Sequence, residues 1–388
     1  MLVFIAWSLC SENVYRVLCG RFIMILFSAA DCPLTLRSLM KENSPQTSAR
    51  RCPVIIISGP TGAGKSELAI KLALSIGGEI INCDSVQVYR QCDIGSAKPS
   101  EGERRRVPHH LFDIFEPNEQ CDATRYRELA LGVIAEVQAR AKIPILVGSS
   151  GLYISTLLEG IDPMPASSAE VRSLLNEWST ESLYKELLFV DPERAQALHP
   201  CDRGRIIRAL EVWRVSGVPQ SVWFKESSVC EEKIREVPAV VLVLVPDRQV
   251  LYARINERSR QMINGGLVEE TRSIIEQYGS LIAPMYAIGY REVVEFLARG
   301  GLAAERELLV EQIALVTRRY SKRQRTYWRN EPEKRGWASF VSLLNGREVV
   351  LQEPWVNILS ERYRGVGNKV EVWYLYESLL ENLVSEHG

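Results

Sequence analysis

The sequence predicts an α/β fold in which a parallel sheet flanked by helices is interrupted by a helical insertion. Three observations carry this. "CPVIIIS" (52–58) is a short β-branched apolar run, as in a strand buried on both faces, and it leads straight into a glycine-rich loop and a periodic helix. Strand-like and helix-like segments then alternate to about residue 160, as the units of a parallel sheet do. From about 161 to 237 helical patterns follow one another with no strand between them, and strands then resume.

The first helix sets Leu68, Ala69, Leu72, Ala73 and Ile76 on one face and stops at Gly77-Gly78. "GEIINCDSVQVY" (78–89) reads as a second strand with Asp84 and Ser85 at its carboxyl end. "RYRELALGVIAEVQARAK" (125–142) has a helical period, and "IPILVGSSGLY" (143–153) is a strand running into a turn. In the insertion, 169–190 and 192–217 are helical stretches, with Trp213 expected in their core. "VPAVVLVLVPD" (237–247) returns as a buried strand, and 250–279 and 307–330 are helical by period. The expected organisation is an N-terminal extension (1–51), a core (52–160 and 238–335), the insertion (161–237) and a tail (336–388) whose residues suggest no chemistry.

Composition narrows the function classes. Hydrophobic residues make up 46% and charged residues 24%, ordinary for a globular protein, and the formal net charge is -1. Any nucleic-acid surface must therefore be local. Nine cysteines, an odd number without a CxxC pair, argue for a reducing, cytoplasmic setting and against a disulfide framework or structural zinc. The apolar runs "MLVFIAWSLC" and "FIMILFSAA" are too short to span a bilayer, so no membrane role is expected. They lack the positive amino end and A-x-A site of a signal peptide, and a start at Met40 would leave a plain polar leader.

Gly59-Pro60-Thr61-Gly62-Ala63-Gly64-Lys65-Ser66 matches G-x4-G-K-[ST], in the required place between a strand and a helix. Its glycines let backbone N–H groups turn toward phosphate oxygens at the positive end of the helix. Lys65 adds a mobile charge and Ser66 a hydroxyl for Mg²⁺. The core is thus P-loop NTPase-like. An ATP-hydrolysing site would add a strand ending in a metal-holding Asp. "IPILVGSSG" ends in Gly and Ser instead, and Asp247 reads as a helix cap. Asp84, on a strand tip, points into the ligand crevice or serves as a turn or cap residue.

In "TRRYSKRQRTYWRN" (317–330), Arg318, Lys322, Arg325 and Arg329 line one helical face, interleaved with Tyr320, Tyr327 and Trp328. Cations beside rings grip RNA loops, although basic helices are often only solvated. Arg203, Arg205 and Arg208 form a weaker patch in the insertion. His109-His110 suit structural hydrogen bonds, and Arg258 alone reads as a surface residue or a phosphate contact.

In order, "GPTGAGKS", "DSVQVY", "DIGSAKP", "PHHLFDIFEPNE", "VGSSGLY", "DRGRIIRALEV", "RSRQMINGGLVEE", "AIGYREVVEF" and "KRQRTYWR" resemble the tRNA dimethylallyltransferases across about 54–330. The resemblance implies transfer of a dimethylallyl group from dimethylallyl diphosphate to N6 of the adenine beside the anticodon of tRNA, with pyrophosphate leaving. It implies that residues 59–66 hold the diphosphate with Mg²⁺ at Ser66, that Lys65, Arg258 and Ser150 assist, and that Asp84 is the general base. By the same resemblance the anticodon stem-loop is contacted by Asp84, Ser85, Val86, Gln87, Ser150, Arg172, Arg205, Arg208, Gly289, Tyr290 and Arg291. On the basic helix the contacts are Lys322, Arg323, Gln324, Arg325, Trp328 and Arg329. A monomer is expected. The alternative is an ATP-dependent nucleoside or small-molecule kinase sharing the loop and Asp84. Three departures stand out: Gly148-Ser149-Ser150-Gly151 replaces G-G-T-G, Ser96 replaces a threonine, and Cys121-Asp122 replaces an aromatic and a hydroxyl residue.

Overall fold

The structure, a computed structural model, describes residues 14–19, 22–27, 54–161, 164–229, 237, 239–335, 338–343 and 370–376. The chain divides into two compact units, Glu159–Ile234 and the remainder on either side of it.

The larger unit is built on a sheet whose central strand is β3 (Val54–Ser58). Strands β1 (Val14–Cys19) and β2 (Phe22–Phe27) form a separate antiparallel pair. Around β3 lie β4 (Gly78–Asn82), β5 (His109–His110), β6 (Ile143–Val147), β7 (Ala239–Val245), β8 (Ala338–Leu343) and β9 (Val370–Tyr376). Their order is β5-β4-β6-β3-β7-β9-β8, and every neighbouring pair is parallel. The rest of the expected N-terminal extension and tail, Met40 included, lies outside the described residues.

Alternation along β3 explains its sequence. Val54 and Ile56 face one side with Tyr126, Ile134, Ile154 and Leu157, while Ile55 and Ile57 face the other with Leu68, Leu72 and Ala73. The first set belongs to α3 (Ala123–Ala139) and α4 (Gly151–Glu159), the second to α1 (Lys65–Ile76), with the short α2 (Glu101–Arg106) between. A strand covered on both faces needs apolar residues at consecutive positions.

Strand β4 stops earlier than the sequence suggests, at Asn82. Two side-chain turns end it: Asp84 N–H donates to Asn82 Oδ1 (3.0 Å) and Val86 N–H to Asp84 Oδ1 (2.9 Å). Such local bonds compete with the ladder for backbone groups. Asp84 therefore sits in a loop two residues past the strand.

The smaller unit comprises α5 (Ala169–Asn176), α6 (Thr180–Val190), α7 (Pro192–Ala197), α8 (Arg203–Ser216) and α9 (Gln220–Val229) around Leu175, Leu183, Leu187, Ile206 and Leu210. The stretch 169–190 is two helices rather than one, because Ser179 caps α6 through Ser182 N–H. Trp213, expected in the core, is half-buried, with Arg214 over its ring. After β7, Asp247 caps α10 (Arg248–Asn264) through Gln249 and Val250 N–H. Then come α11 (Leu267–Tyr278), α12 (Tyr290–Ala298) and the 29-residue α13 (Arg306–Lys334). Among the described residues no helix is long and apolar enough to cross a membrane.

Candidate active site

Because β3, β4, β6 and β7 are parallel, the loops after them gather at one edge of the sheet, where α/β proteins bind ligands. The loop after β3 is 59–64. Gly59 has φ 131°, and a Cβ there would lie 2.5 Å from Leu244 O of β7, so glycine lets the loop leave the sheet beside its neighbour. Lys65 folds back over the loop and donates from Nζ to Pro60 O (2.9 Å) and Gly59 O (3.2 Å). Burial and the nearby Arg258 pull its pKa down to about 8, with Asp84 opposing them. Ser66, in the first turn of α1, is exposed.

Arg258 comes from α10, which runs alongside α13. Its Nη1 lies 3.5 Å from Thr61 Oγ1. Burial lowers its pKa while Asp84 raises it. The structure thus brings Asp84, Lys65, Thr61 and Arg258 into one electrostatic neighbourhood from three distant stretches of chain. A cationic pair beside a glycine-rich loop at a helix start suits an anion with more than one charge, and Asp84 adds a carboxylate to the same neighbourhood.

The loop after β6 holds Ser150, whose Oγ accepts from Ser85 N–H (3.3 Å) and so touches the Asp84 loop. Gly148 is required by close packing: a Cβ there would stand 1.8 Å from Cys83 O. Ser149, the departure in this loop, is half-buried and falls between the tight positions. The other departures are also accommodated. Ser96 donates to Cys92 O (2.6 Å), Asp122 caps α3 through Arg125 N–H (2.9 Å), and Cys121 O accepts from Tyr153 Oη (3.0 Å).

Helix α13 closes the site with one face. Gln324 Oε1 accepts from Thr61 N–H (3.0 Å), and Tyr327 Oη donates to Gly151 O (3.0 Å). Burial and the neighbouring Asp84 push the Tyr320 phenol pKa up. On the other face Lys322, Arg323 and Arg329 are exposed, and Arg325 is half-exposed. Arg323 also lies 5.3 Å over the Tyr320 ring, and Arg318 is held by Asn256 Oδ1.

Of the residues expected at an RNA surface, Trp328 and Tyr290 are buried, while Arg172, Arg205, Arg208 and Arg291 pair with carboxylates of the protein, Arg205 and Arg291 remaining exposed. Trp328 is 2% exposed in the core beneath β3, so it presents no ring for stacking. Tyr290 is fully buried, with Oη donating to Glu270 (2.7 Å), and Gly289 N–H and Arg291 are both bound by Glu292. In the smaller unit, Arg172 and Arg208 converge on the buried Glu211 (3.1 and 2.7 Å), and Arg205 pairs with Asp202. Gln87 donates to Ser96 O and Ala97 O, and the Val86 side chain packs against the apolar cluster that includes Ile263 and Leu267.

One carboxylate that fixes a loop was not singled out in the sequence. Glu270 accepts from the N–H groups of Asp93, Ile94 and Gly95 (3.0, 2.8 and 3.1 Å) and fixes the 93–98 loop. Lys98, nearly buried, ties that loop to Asp93, Asp113 and Tyr89 O. Nothing in the local sequence around Glu270 announces a partner 175 residues away. His110 binds Glu79 (2.7 Å) and His109 bonds Val107 O (2.7 Å), both structural contacts.

Fold and site together define an α/β protein of P-loop type whose glycine-rich loop lies near the Asp84 carboxylate. The IPP transferase family model matches residues 87–331, and an isopentenyl transferase model matches residues 52–110. The chain is 43% identical over 287 residues to tRNA dimethylallyltransferase 1 of Citrifermentans bemidjiense, covering 74% of this chain and 92% of the relative. It is 44% identical to the tRNA dimethylallyltransferase of Geobacter sulfurreducens, over 72% of this chain and 89% of the relative. Among solved structures it is similar to the tRNA isopentenylpyrophosphate transferase of Bacillus halodurans (TM-score 0.53, 29% identity, 86% of this chain and 94% of that one). It is also similar to a eukaryotic dimethylallyltransferase acting on tRNA (TM-score 0.64, 26% identity, 86% and 80%). The chain belongs to the IPP transferase family, the prenyl-transferring tRNA dimethylallyltransferases.

Proposed function

We propose that the protein, a cytoplasmic monomer, transfers the dimethylallyl group of dimethylallyl diphosphate to N6 of the adenine beside the anticodon (position 37) of tRNA. The observation that carries this reading is the meeting of Asp84, Lys65 and Arg258 at one sheet edge beside the phosphate loop. A new N6–C1 bond forms as the C1–O bond breaks and pyrophosphate leaves. Asp84 takes the N6 proton, which a carboxylate within hydrogen-bond reach can do. The loop N–H groups, Lys65 and Arg258 stabilise the charge that develops on the leaving diphosphate, the main requirement when an allylic carbon ionises early. Ser150, bonded to the Asp84 loop, positions the base.

Among the described residues no cluster of three His, Cys, Asp or Glu side chains is placed to hold a metal. The exposed Ser66 hydroxyl fits Mg²⁺, which keeps several waters and shares ligation with substrate phosphates. When bound, Mg²⁺ would neutralise diphosphate charge. Lys322, Arg325 and Arg329, on the solvent side of α13, would hold RNA phosphates, with the adenine flipped from its stack.

The test is incubation of purified protein with dimethylallyl diphosphate, Mg²⁺ and unmodified tRNA. Prenylated adenosine is expected. Phosphate transfer from ATP with no prenyl product would support the kinase alternative instead.

A further inference from the structure

Gln324 lies in the middle of the basic segment of α13, yet its side chain is only 6% exposed and turns toward the phosphate loop. A backbone N–H can only donate, so the amide atom facing Thr61 N–H must be Oε1, and this fixes the orientation of the side chain. Nε2 is then left buried with no partner at hydrogen-bond geometry, its weak interaction with the Tyr320 phenol aside. Buried amide donors are rarely left unsatisfied, because each one has given up its hydrogen bonds to water without replacement. Thr61 in turn sets its hydroxyl 3.5 Å from Arg258 Nη1. Gln324, Thr61 and Arg258 therefore form one line from α13 through the phosphate loop to the guanidinium.

We infer that Gln324 is a positioning residue of the diphosphate site, holding Thr61 through Oε1 and offering Nε2 to an oxygen of the bound diphosphate, rather than an RNA contact. This rests on the reading of 59–66 as the diphosphate loop. An acceptor in the site satisfies the donor that the protein leaves open. The Thr61 bond keeps the loop and Arg258 in register before substrate arrives, so less ordering remains to be done on binding.

The experiment measures inorganic pyrophosphate affinity by calorimetry in Mg²⁺ buffer, tRNA affinity by filter binding, and kcat and KM for dimethylallyl diphosphate. The proteins are wild type, Gln324→Met, Gln324→Glu, Thr61→Val and the Thr61→Val/Gln324→Met double variant. Methionine removes donor and acceptor at similar volume, whereas glutamate keeps the acceptor and removes the donor. Both are expected to weaken pyrophosphate at least fivefold, with tRNA affinity within twofold of wild type. The double variant is expected to lose less than the product of the single losses, since the two residues act in one line. Pyrophosphate affinity kept within twofold by either variant, a loss confined to tRNA, a parallel loss of both affinities, or strictly multiplicative effects would each overturn the inference. Lys65→Ala is the control on the loop itself: if it leaves pyrophosphate binding intact, the diphosphate reading fails separately from the role of Gln324.

Discussion

Asp84 shows how much chemistry hangs on a single side chain held by local bonds. Its Oδ1 is committed to Val86 N–H, which leaves Oδ2 for a substrate proton. Asp84→Asn is expected to lower turnover by about 10²–10⁴-fold while tRNA affinity stays within twofold. Turnover within threefold of wild type in a single-turnover assay would remove it as the base. Lys65 carries a pH signature. Its pKa falls to about 8 in the folded protein, so the free site loses this cation above that pH. Pyrophosphate affinity should decline from about pH 8 upward in wild type and stay flat in Lys65→Arg, as read by calorimetry across pH 6.5–9.5. The sign for stability is the opposite: between about 8 and the ordinary lysine value the unfolded chain binds the extra proton, so stability rises with pH there. The penalty is greatest below pH 8, and Lys65→Met should raise Tm at pH 7 while abolishing activity. At Gly148 the constraint is steric. Gly148→Ala would force Cβ into Cys83 O and should destabilise by about 3 kcal/mol or more, measured by urea unfolding.

Helix α13 divides its two faces between two tasks. Tyr320, Gln324 and Tyr327 recur at helical spacing along the site side, and Lys322, Arg325 and Arg329 along the solvent side. Lys322→Ala with Arg329→Ala should weaken tRNA binding and flatten its log–log salt dependence by about 0.7–0.9 for each phosphate no longer neutralised. Pyrophosphate affinity should not change. An unaltered salt slope would mean that these side chains are merely solvated. The basic face was legible because charges at three- and four-residue spacing show directly in the sequence. The opposite face was not, since a buried glutamine and a buried tryptophan within a charged run look the same as exposed ones until the neighbouring helix and loops are in place.

At the scale of the whole molecule, the two units are stabilised by different means. The larger relies on a sheet covered on both faces, whereas the smaller has a short apolar core and the buried carboxylates of Asp191 and Glu211. Glu211 accepts from Arg172, Arg208, Ser167 Oγ and Ser168 N–H, and these bonds outweigh the burial that would otherwise raise its pKa. Glu211→Ala should cost about 2–3 kcal/mol, less than a fully buried pair because both arginines keep contact with water. Thermal unfolding should show a destabilised transition while pyrophosphate affinity holds. The change of texture near residue 161 marks in the sequence where the sheet gives way to the Glu159–Ile234 unit. The Arg172–Glu211 pair was hidden, because a carboxylate 39 residues away gives no local signal, whereas Arg208–Glu211 is an i,i+3 pair within one helix.

By itself the sequence determined strands β3, β4, β6 and β7, the glycine-rich loop, the parallel core and the family, but not β1, β2, β5, β8 or β9. Those features are local, since period, turn residues and motif spacing act over a few positions. Only the tertiary structure decided that Asp84 leaves the strand, that Arg258 reaches the loop, that Glu270 fixes the 93–98 loop and that Gln324 and Trp328 turn inward. Each of these depends on a partner far away in the chain, and packing and desolvation of such pairs exist only once the sheet has brought their loops to one edge.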